Sequence, residues 1–221
     1  MSQKGAGLPA AVIFDLDGTL VHSAPDLHFA VNETLSTLDR DRISLDQVIS
    51  FIGNGVPVLV DLALTATGGS DEMLHRKALQ VFLKVYEANM TRLTVPYPGV
   101  TACLEVLRDA GCLMGVCTNK PERPAHMICD DLGLSQYFET ITGAREGLAR
   151  KPDADPLLSC LNALGVAPDQ ALYVGDSAVD FHTAQNAGVK FRLFSGGYLN
   201  APLTDLPAAA RFDDWQTADL T

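Results

Sequence analysis

The sequence predicts an α/β fold, a doubly wound parallel sheet with helices on both faces and an all-helical insertion. Three observations predict it. Short, continuous apolar runs recur along the chain, as in strands buried on both faces. Segments with helical periodicity separate most of these runs. One long stretch, from about residue 23 to residue 93, is helical in pattern throughout and holds no convincing buried strand.

The predicted strands are the apolar runs themselves. The run AAVIF (10–14) is continuous rather than alternating, which is typical of a strand covered on both faces. LMGVC (113–117) and ALYV (171–174) have the same character, and FETIT (138–142) and KFRLF (190–194) are weaker candidates.

The helices between these strands carry signals at their ends. Residues 98–111, 155–165 and 177–188 follow a helical period, and each segment ends at a glycine, which favours helix termination. Asp155 is the expected N-cap of the second helix and Pro156 its first residue. Strand–helix alternation of this kind predicts a parallel sheet.

The helical insertion begins after the first strand. Residues 23–26 (SAPD) have capping-box spacing, and apolar residues follow them at helical intervals. The segments 57–67 and 71–90 continue the pattern, and TVPYPG (94–99) ends it. We therefore predict two domains, a core formed by residues 1–21 and 95–221 and a helical cap formed by residues 22–94.

Composition and charge exclude several classes of partner. The formal net charge is −11, with 16 Lys and Arg against 27 Asp and Glu. Such a surface repels nucleic acid and anionic lipid, so neither is an expected partner.

The first ten residues lack the apolar core of a signal peptide, and no apolar segment is long enough to span a bilayer. The five cysteines include no CxxC pair and indicate reduced thiols. We expect a cytoplasmic protein, either a monomer or a homodimer.

Polar residues follow three of the predicted strands at the points where they end. They are Asp15 and Asp17 after the first run, Thr118 and Asn119 after the second, and Asp176 after the run at 171–174. Ligands of open parallel sheets bind beyond the carboxyl ends of the strands. We therefore expect these side chains to meet at one edge of the sheet.

The paired carboxylates of Asp15 and Asp17 repel each other unless a cation offsets their charge. A hard cation such as Mg²⁺ binds through oxygen and can also hold a phosphate. One carboxylate can then attack phosphorus while the other serves as acid and base. Gly18 allows close backbone approach, and the Thr19 hydroxyl can fix the loop. An EF-hand is disfavoured, because its loop needs Gly at the sixth position and here Gly18 is fourth.

Four motifs stand in a recognisable order along the chain. DLDGT (15–19), TNK (118–120), Lys151-Pro152 and GDSAVD (175–180) resemble the motifs of the haloacid dehalogenase-like phosphatases. The resemblance covers about residues 10–200 and implies a Rossmann-like core with a helical cap. Within this superfamily, IGNGVPVLV (52–60), PYPGV, TNKP and the spacing of GDS..D....A..AG are similar to bacterial phosphoglycolate phosphatases.

The resemblance implies roles for the two aspartates of the first motif. Asp15 is the expected nucleophile and a Mg²⁺ ligand. Asp17 is the expected acid and base, and gives its main-chain carbonyl to the metal.

The other motifs are expected to complete the site. Thr118 and the backbone N–H of Asn119 hold the phosphoryl oxygens, and Lys151 neutralises the nucleophile and the phosphate. Asp176 completes the metal site, and Asp180 supports it from nearby or through water. These cations and carboxylates agree with what phosphoryl transfer requires.

Each of these residues also has a plain structural interpretation. Asp180 can be the capping partner of Ser177, and Lys151 can be a solvated loop lysine. Residues 118–119 can be a helix N-cap. The loop Gly53-Asn54-Gly55 can receive the substrate's carboxylate at a helix N-terminus, or it can be a flexible turn.

Two departures from the family pattern stand out. The chain has His22 where Asp is usual, so cap hinging or pH dependence is expected to differ while the chemistry survives. Residues 194–200 only partly match the usual Gly-Tyr segment. Asn54, Arg92 and His22 are candidate substrate contacts from the cap.

The expected function is Mg²⁺-dependent hydrolysis of a small phosphorylated metabolite, namely 2-phosphoglycolate, through an aspartyl-phosphate. The alternatives are a phosphatase for another metabolite such as a sugar phosphate, a β-phosphoglucomutase-like phosphotransferase, and a non-catalytic metal- or phosphate-binding module. Mutases typically read DGV where this chain has DGT, and a dehalogenase or phosphonatase would lack Asp17. A non-catalytic module predicts damaged motifs, and none is visible.

Overall fold

The structure is a computed structural model that describes residues 7–199 and 201–220. The elements in chain order are β1 (Ala11–Phe14), β2 (Val21–His22), α1 (Ala24–Ser36), α2 (Leu45–Phe51), α3 (Val56–Ala66), α4 (Glu72–Glu87), β3 (Val95–Pro96), α5 (Val100–Asp109), β4 (Leu113–Pro121), α6 (Glu122–Asp131), β5 (Thr140–Ala144), α7 (Asp155–Leu164), β6 (Ala171–Gly175), α8 (Ala178–Ala187), β7 (Lys190–Phe194) and β8 (Arg211–Phe212). Within these residues, no helix combines the length and apolar character needed to cross a bilayer.

A six-stranded parallel sheet forms the core, in the order β5-β4-β1-β6-β7-β8. The central strand β1 is buried along its whole length, as its continuous apolar sequence predicts. Phe14, its last residue, pairs with Val116 of β4 and Val174 of β6. Because these three residues are level, the residues that follow each of them lie at one edge of the sheet, although β4 itself continues to Pro121. The predicted α/β class is confirmed.

Several strands differ from the prediction at their ends, and the short strands β2 and β3 were not predicted. Strand β5 begins at Thr140 instead of residue 138. Strand β4 continues to Pro121, with an irregularity in its pairing to β5 after Cys117. Strand β8 was not predicted, and it adds an edge beside β7. Trp215, close after β8, packs against Phe14 and other rings.

The helix ends confirm some of the predicted caps and contradict others. Gly165 and Gly188 end their helices in the left-handed region, as predicted. Helix α7 begins at Asp155 itself with Ala154 as the N-cap, so the predicted cap is wrong by one residue. The predicted capping box at 23–26 is also wrong, because Ser23 makes no side-chain cap hydrogen bond.

The predicted helical insertion consists of four helices, α1–α4, which pack on one another. Their shared apolar contacts include Leu35, Leu64 and Phe82, all essentially excluded from solvent. The chain enters the helical insertion through β2 and returns through β3, and these two strands pair antiparallel. The predicted domain bounds at residues 22 and 94 stay a prediction, since this strand pair carries the chain across them.

Asp26 ties the start of α1 to the returning chain just before β3. Its buried carboxylate accepts hydrogen bonds from the backbone N–H groups of Leu93 (2.9 Å) and Thr94 (2.8 Å), and from the Thr94 hydroxyl (2.7 Å). These tertiary donors take the place of the local cap that the S-x-x-D spacing predicted. A buried carboxylate with several donors is strongly stabilised, and its loss is costly.

We predict that Asp26→Asn lowers the free energy of unfolding by about 3 kcal/mol, because the new amide group places hydrogens against backbone donors. Urea denaturation measures this loss. The matched control is Asp41→Asn at an exposed position, where a change within about 0.5 kcal/mol is expected. Equal stability of the two variants would contradict the structural role of Asp26.

Candidate active site

A pocket lies at the sheet edge where β1, β4 and β6 end, between the core and the helical insertion. Its core lining consists of Asp15, Asp17, Thr118, Asn119, Lys120, Lys151 and Ser177. The helical insertion contributes Leu27, Ile52, Gly53, Gly55, Val56 and Leu59. Most of the sequence-predicted site residues therefore meet in one place. Asn54 and Arg92 are not among the lining residues, and Arg92 lies over the Phe29 ring instead.

Three buried carboxylates form a cluster beside this pocket, and one of them, Asp15, also lines it. Carboxylate oxygens of Asp15, Asp176 and Asp180 all lie within 4.8 Å of one another. Lys151 faces two of them, with its Nζ 2.8 Å from Asp15 Oδ1 and 2.6 Å from Asp180 Oδ1. Lys151 is almost fully buried, so the interpretation of a solvated lysine is wrong. One ammonium group offsets only part of this negative charge.

The acid–base properties of the cluster reflect burial and crowding. Burial raises the pKa of Asp15 to about 6, although Lys151 opposes the rise, and Asp180 adds to it. Burial, then Asp180 and Asp15, raise the pKa of Asp176 well above its usual range. Burial lowers the pKa of Lys151, but the two facing carboxylates outweigh it and the pKa ends above its usual value. The cluster is therefore short of positive charge.

The donor set fits a hard divalent cation. All of the clustered ligands are carboxylate oxygens, which Mg²⁺ and Ca²⁺ prefer over softer ions. The Asp15 Oδ1 atom has Lys151 as an ion-pair partner but no well-aligned hydrogen-bond donor among the described residues. An oxygen in that state has a free lone pair for a cation. The buried carboxylates thus form a candidate metal site.

Asp180 caps helix α8 and also contacts Lys151. It completes a capping box with Ser177 at the start of α8, which confirms the structural interpretation. Its other oxygen accepts hydrogen bonds from Lys151 Nζ and from the Tyr173 hydroxyl (2.9 Å). Because each of its oxygens already accepts at least two hydrogen bonds, Asp180 is better placed to orient Lys151 than to bind a cation directly.

Asp176 is held by the loop that follows β1. Its Oδ1 accepts a hydrogen bond from the Thr19 hydroxyl (2.8 Å), and its Oδ2 accepts one from the backbone N–H of Tyr198 (2.6 Å). Gly18 has φ +87°, and a Cβ there would lie 2.3 Å from Asp176 Oδ2. Only glycine therefore permits this close approach.

Asn119 clamps the backbone of Lys151. Its Oδ1 accepts from the Lys151 N–H (2.9 Å), and its Nδ2 donates to the carbonyl oxygens of Lys151 and Gly53 (3.0 Å each). The last contact brings the helical insertion to the site. Residues 118–119 are not the helix N-cap that was considered, since α6 begins at Glu122 with Pro121 as its cap.

Sequence reasoning missed the partner of Asp17, which is Lys120. Lys120 Nζ lies 3.0 Å from each Asp17 oxygen and 2.7 Å from the hydroxyl oxygen of Tyr86. Lys120 belongs to the TNK motif, but nothing in that motif shows which carboxylate it faces. Burial raises the pKa of Tyr86 to about 12, although Lys120 opposes the rise, so the hydroxyl stays protonated. The predicted metal ligands include only the main-chain carbonyl of Asp17. The ion pair with Lys120 involves only the Asp17 side chain, so it does not occupy that carbonyl.

The two departures from the family pattern meet in the structure. His22 Nδ1 lies 2.9 Å from the hydroxyl of Tyr198, and that hydroxyl oxygen accepts a hydrogen bond from the Ala24 N–H (2.9 Å). The Tyr198 hydroxyl is thus placed to donate to a neutral His22. Burial lowers the pKa of His22, which favours the neutral ring. Of the segment 194–200, Asn200 lies outside the described residues.

The chain belongs to the haloacid dehalogenase-like hydrolase family, whose sequence pattern matches residues 12–194. Its similarity to particular members is extensive. A phosphoglycolate phosphatase of Cereibacter sphaeroides is 46% identical over 197 residues, which cover 89% of each chain. A phosphoglycolate phosphatase of Rhodospirillum rubrum is 42% identical over 213 residues, which cover 94% of this chain and 88% of the relative.

The fold is also that of solved members. A crystal structure described as a predicted phosphoglycolate phosphatase from Haemophilus somnus superposes with a TM-score of 0.87 at 30% identity. The match covers 96% of this chain and 97% of the other. These comparisons confirm the family that the four motifs predicted, and with it the Rossmann-like core that carries a helical cap.

We predict that His22→Asn makes stability less sensitive to acid, since an amide oxygen can accept from Tyr198 but does not titrate. Because the pKa of His22 is lowered in the folded state, the unfolded chain binds the proton first as pH falls, and folding is weakened. The wild type should therefore lose more stability than the variant between about pH 7.5 and about pH 5. Thermal denaturation across this range measures the difference, and parallel curves would contradict the lowered pKa of His22 in the folded state.

Proposed function

We propose that this protein is a Mg²⁺-dependent phosphatase that converts 2-phosphoglycolate to glycolate and inorganic phosphate through a phosphorylated Asp15. The coarser activity, hydrolysis of phosphoric monoesters, follows from the family and from the curated relatives along most of the chain. The single observation that supports the mechanism is the buried cluster of Asp15, Asp176 and Asp180 facing Lys151.

In the first step, a carboxylate oxygen of Asp15 forms a bond to phosphorus as the bond from phosphorus to the leaving oxygen breaks. Asp17 enters this step protonated, donates that proton to the leaving oxygen and becomes the carboxylate that pairs with Lys120, and the alcohol departs. Asp15 follows β1 directly, and Lys151 lies 2.8 Å from it. Lys151 thereby keeps the attacking carboxylate in place and offsets the charge of the incoming phosphoryl group.

In the second step, a water oxygen attacks the phosphorus and the bond to Asp15 breaks. The Asp17 carboxylate accepts the proton of that water. Inorganic phosphate leaves, and Asp15 returns to its carboxylate form. The same residue therefore serves as acid and then as base, which restores the starting state after each turnover.

The phosphoryl group needs positive charge and hydrogen-bond donors around it. The Thr118 hydroxyl and the backbone N–H of Asn119 are the proposed donors at the end of β4. The residues that would hold Mg²⁺ are Asp15, Asp176 and the main-chain carbonyl of Asp17. When bound, the ion offsets the charge of the carboxylates and of the phosphate.

The preference for 2-phosphoglycolate is supported by the relatives' names and by the pocket lining. Leu27, Val56 and Leu59 offer no partners for the hydroxyl groups of a sugar. Gly53 and Gly55 stand before α3, whose N-terminus favours a negative group such as the glycolate carboxylate. We also propose a cytoplasmic location, which the thiol state of the cysteines supports. A monomer and a homodimer are equally compatible with the site.

We predict that Asp15→Asn lowers kcat for p-nitrophenyl phosphate by about 10⁴-fold or more, because the amide is a poor nucleophile. The variant should stay folded, since it removes a charge from a crowded cluster. Steady-state kinetics with Mg²⁺ and a thermal melt measure both outcomes, with Asp41→Asn as the control for a distant charge. A variant with rates near those of the wild type would refute the nucleophile.

We predict that kcat/KM for 2-phosphoglycolate exceeds that for hexose phosphates by about 100-fold or more, because sugar hydroxyls would lose their hydrogen bonds in the apolar lining. A panel of phosphorylated metabolites, assayed by phosphate release, measures the ratio. Equal or reversed preference would leave the phosphatase chemistry intact and overturn the substrate.

A further inference from the structure

A second buried lysine, Lys120, lies beside the carboxylate that the mechanism uses for proton transfer. We propose that Lys120 and Tyr86 position Asp17, so that the helical insertion sets the orientation of the acid and base. The proposal rests on the proposed function, because it assigns the two residues to a step of that reaction. Neither residue is needed to explain the cluster of Asp15, Asp176 and Lys151.

Lys120 has its full set of hydrogen-bond partners on the protein. An ammonium group carries three N–H donors. Two contacts of Lys120 Nζ go to the two oxygens of Asp17, at 3.0 Å each, and the third goes to the hydroxyl oxygen of Tyr86 at 2.7 Å. No donor is left for a substrate. Lys120 is therefore a positioning residue rather than a catalytic one.

Burial makes this arrangement specific. The side chains of Lys120 and Asp17 are 3% and 14% exposed. A buried ion pair with good geometry restricts its members, because water cannot replace either partner. Because Lys120 contacts both oxygens, it fixes the plane of the Asp17 carboxylate as well as its position. The orientation of Asp17 thus depends on where the lysine ammonium is held.

Tyr86 holds that ammonium from the other side of the interface. It lies on α4 in the helical insertion, whereas Asp17 and Lys120 belong to the core. Its ring stacks on Phe82 at 5.5 Å between centroids, and Lys120 Nζ lies 4.9 Å from the centroid of the Tyr86 ring. Packing within the insertion therefore places the Tyr86 hydroxyl.

Two further contacts between exposed side chains join the end of this helix and the turn after it to the core. Glu87 pairs with Arg123 at 2.9 Å, and the Thr91 hydroxyl donates to Asp131 at 2.9 Å. Contacts therefore run without a break from α4 through Tyr86 and Lys120 to Asp17.

Proton transfer requires the carboxyl group of Asp17 to lie within hydrogen-bond distance of the leaving oxygen, in a suitable direction. Removing the contact between Tyr86 and Lys120 should therefore slow proton transfer by Asp17 and leave substrate binding unchanged.

The test uses Tyr86→Phe, which removes one oxygen and keeps the ring. The control is Tyr137→Phe, the same change at a buried tyrosine whose hydroxyl contacts Glu105 of α5 in the core. Both variants and the wild type are assayed with Mg²⁺ on 2-phosphoglycolate and on p-nitrophenyl phosphate. The leaving group of 2-phosphoglycolate is poor and needs a proton, whereas that of p-nitrophenyl phosphate is good and needs the proton less.

We expect Tyr86→Phe to lower kcat about fivefold on 2-phosphoglycolate and less than about twofold on p-nitrophenyl phosphate, with KM unchanged. Tyr137→Phe should match the wild type on both. Lys120→Met should show the same pattern with a larger loss. If that variant does not fold, Tyr86→Phe still decides the question.

A double variant separates positioning from a general structural effect. In an Asp17→Asn background the acid is already gone, so adding Tyr86→Phe should cause no further loss. The same fivefold loss in that background, or an equal loss on both substrates, would overturn the proposal.

Different results would refute the proposed function and the positioning of Asp17. If Asp15→Asn keeps turnover, that function is wrong and this proposal falls with it. If Asp15→Asn is inactive but Tyr86→Phe behaves like Tyr137→Phe, only the positioning of Asp17 is wrong.

Discussion

The ion pair between Lys151 and the buried carboxylates is the interaction on which the rest of the site depends. Asp15 follows β1, whereas Asp176 and Asp180 both follow β6, and the three carboxylates would repel one another without it. Several contacts therefore hold Lys151 in position. Asn119 fixes its backbone, and Tyr173 joins Asp180 in holding its ammonium group. A buried lysine placed in this way holds Asp15, the proposed nucleophile, in place while leaving the cluster short of positive charge.

The sheet makes this arrangement possible because Phe14 of β1, Val116 of β4 and Val174 of β6 are level. The first buried polar residues follow these positions within one to three residues, so little loop flexibility intervenes. The helical insertion covers the same edge with mostly apolar side chains and reaches the core through Gly53 and Tyr86. Chemistry and selectivity thus have separate origins: the core holds the charges and the insertion shapes the space around them.

Much of this was predictable from local sequence, and the rest depended on tertiary packing. Continuous apolar runs predicted β1 and β6 because a fully buried strand needs apolar residues on both faces. The S-x-x-D spacing at residues 23–26 predicted a cap, but distant backbone donors bind Asp26 instead. The contact of Lys120 with Tyr86 joins segments 34 residues apart, and no local pattern indicates such a pairing. Motif order predicted which residues gather, whereas the partner of each depended on packing between the core and the insertion.

The deficit of positive charge at the cluster is tested most directly by Mg²⁺-dependent thermal stability, read without any substrate. We expect Mg²⁺ to raise the melting temperature of the wild type, since a ligand that binds only the folded state stabilises it. Asp176→Asn should respond weakly to Mg²⁺, because one of the carboxylates proposed to hold the ion is gone. A wild type whose melting temperature is indifferent to Mg²⁺, or an Asp176→Asn variant with an undiminished response, would contradict the metal-binding cluster.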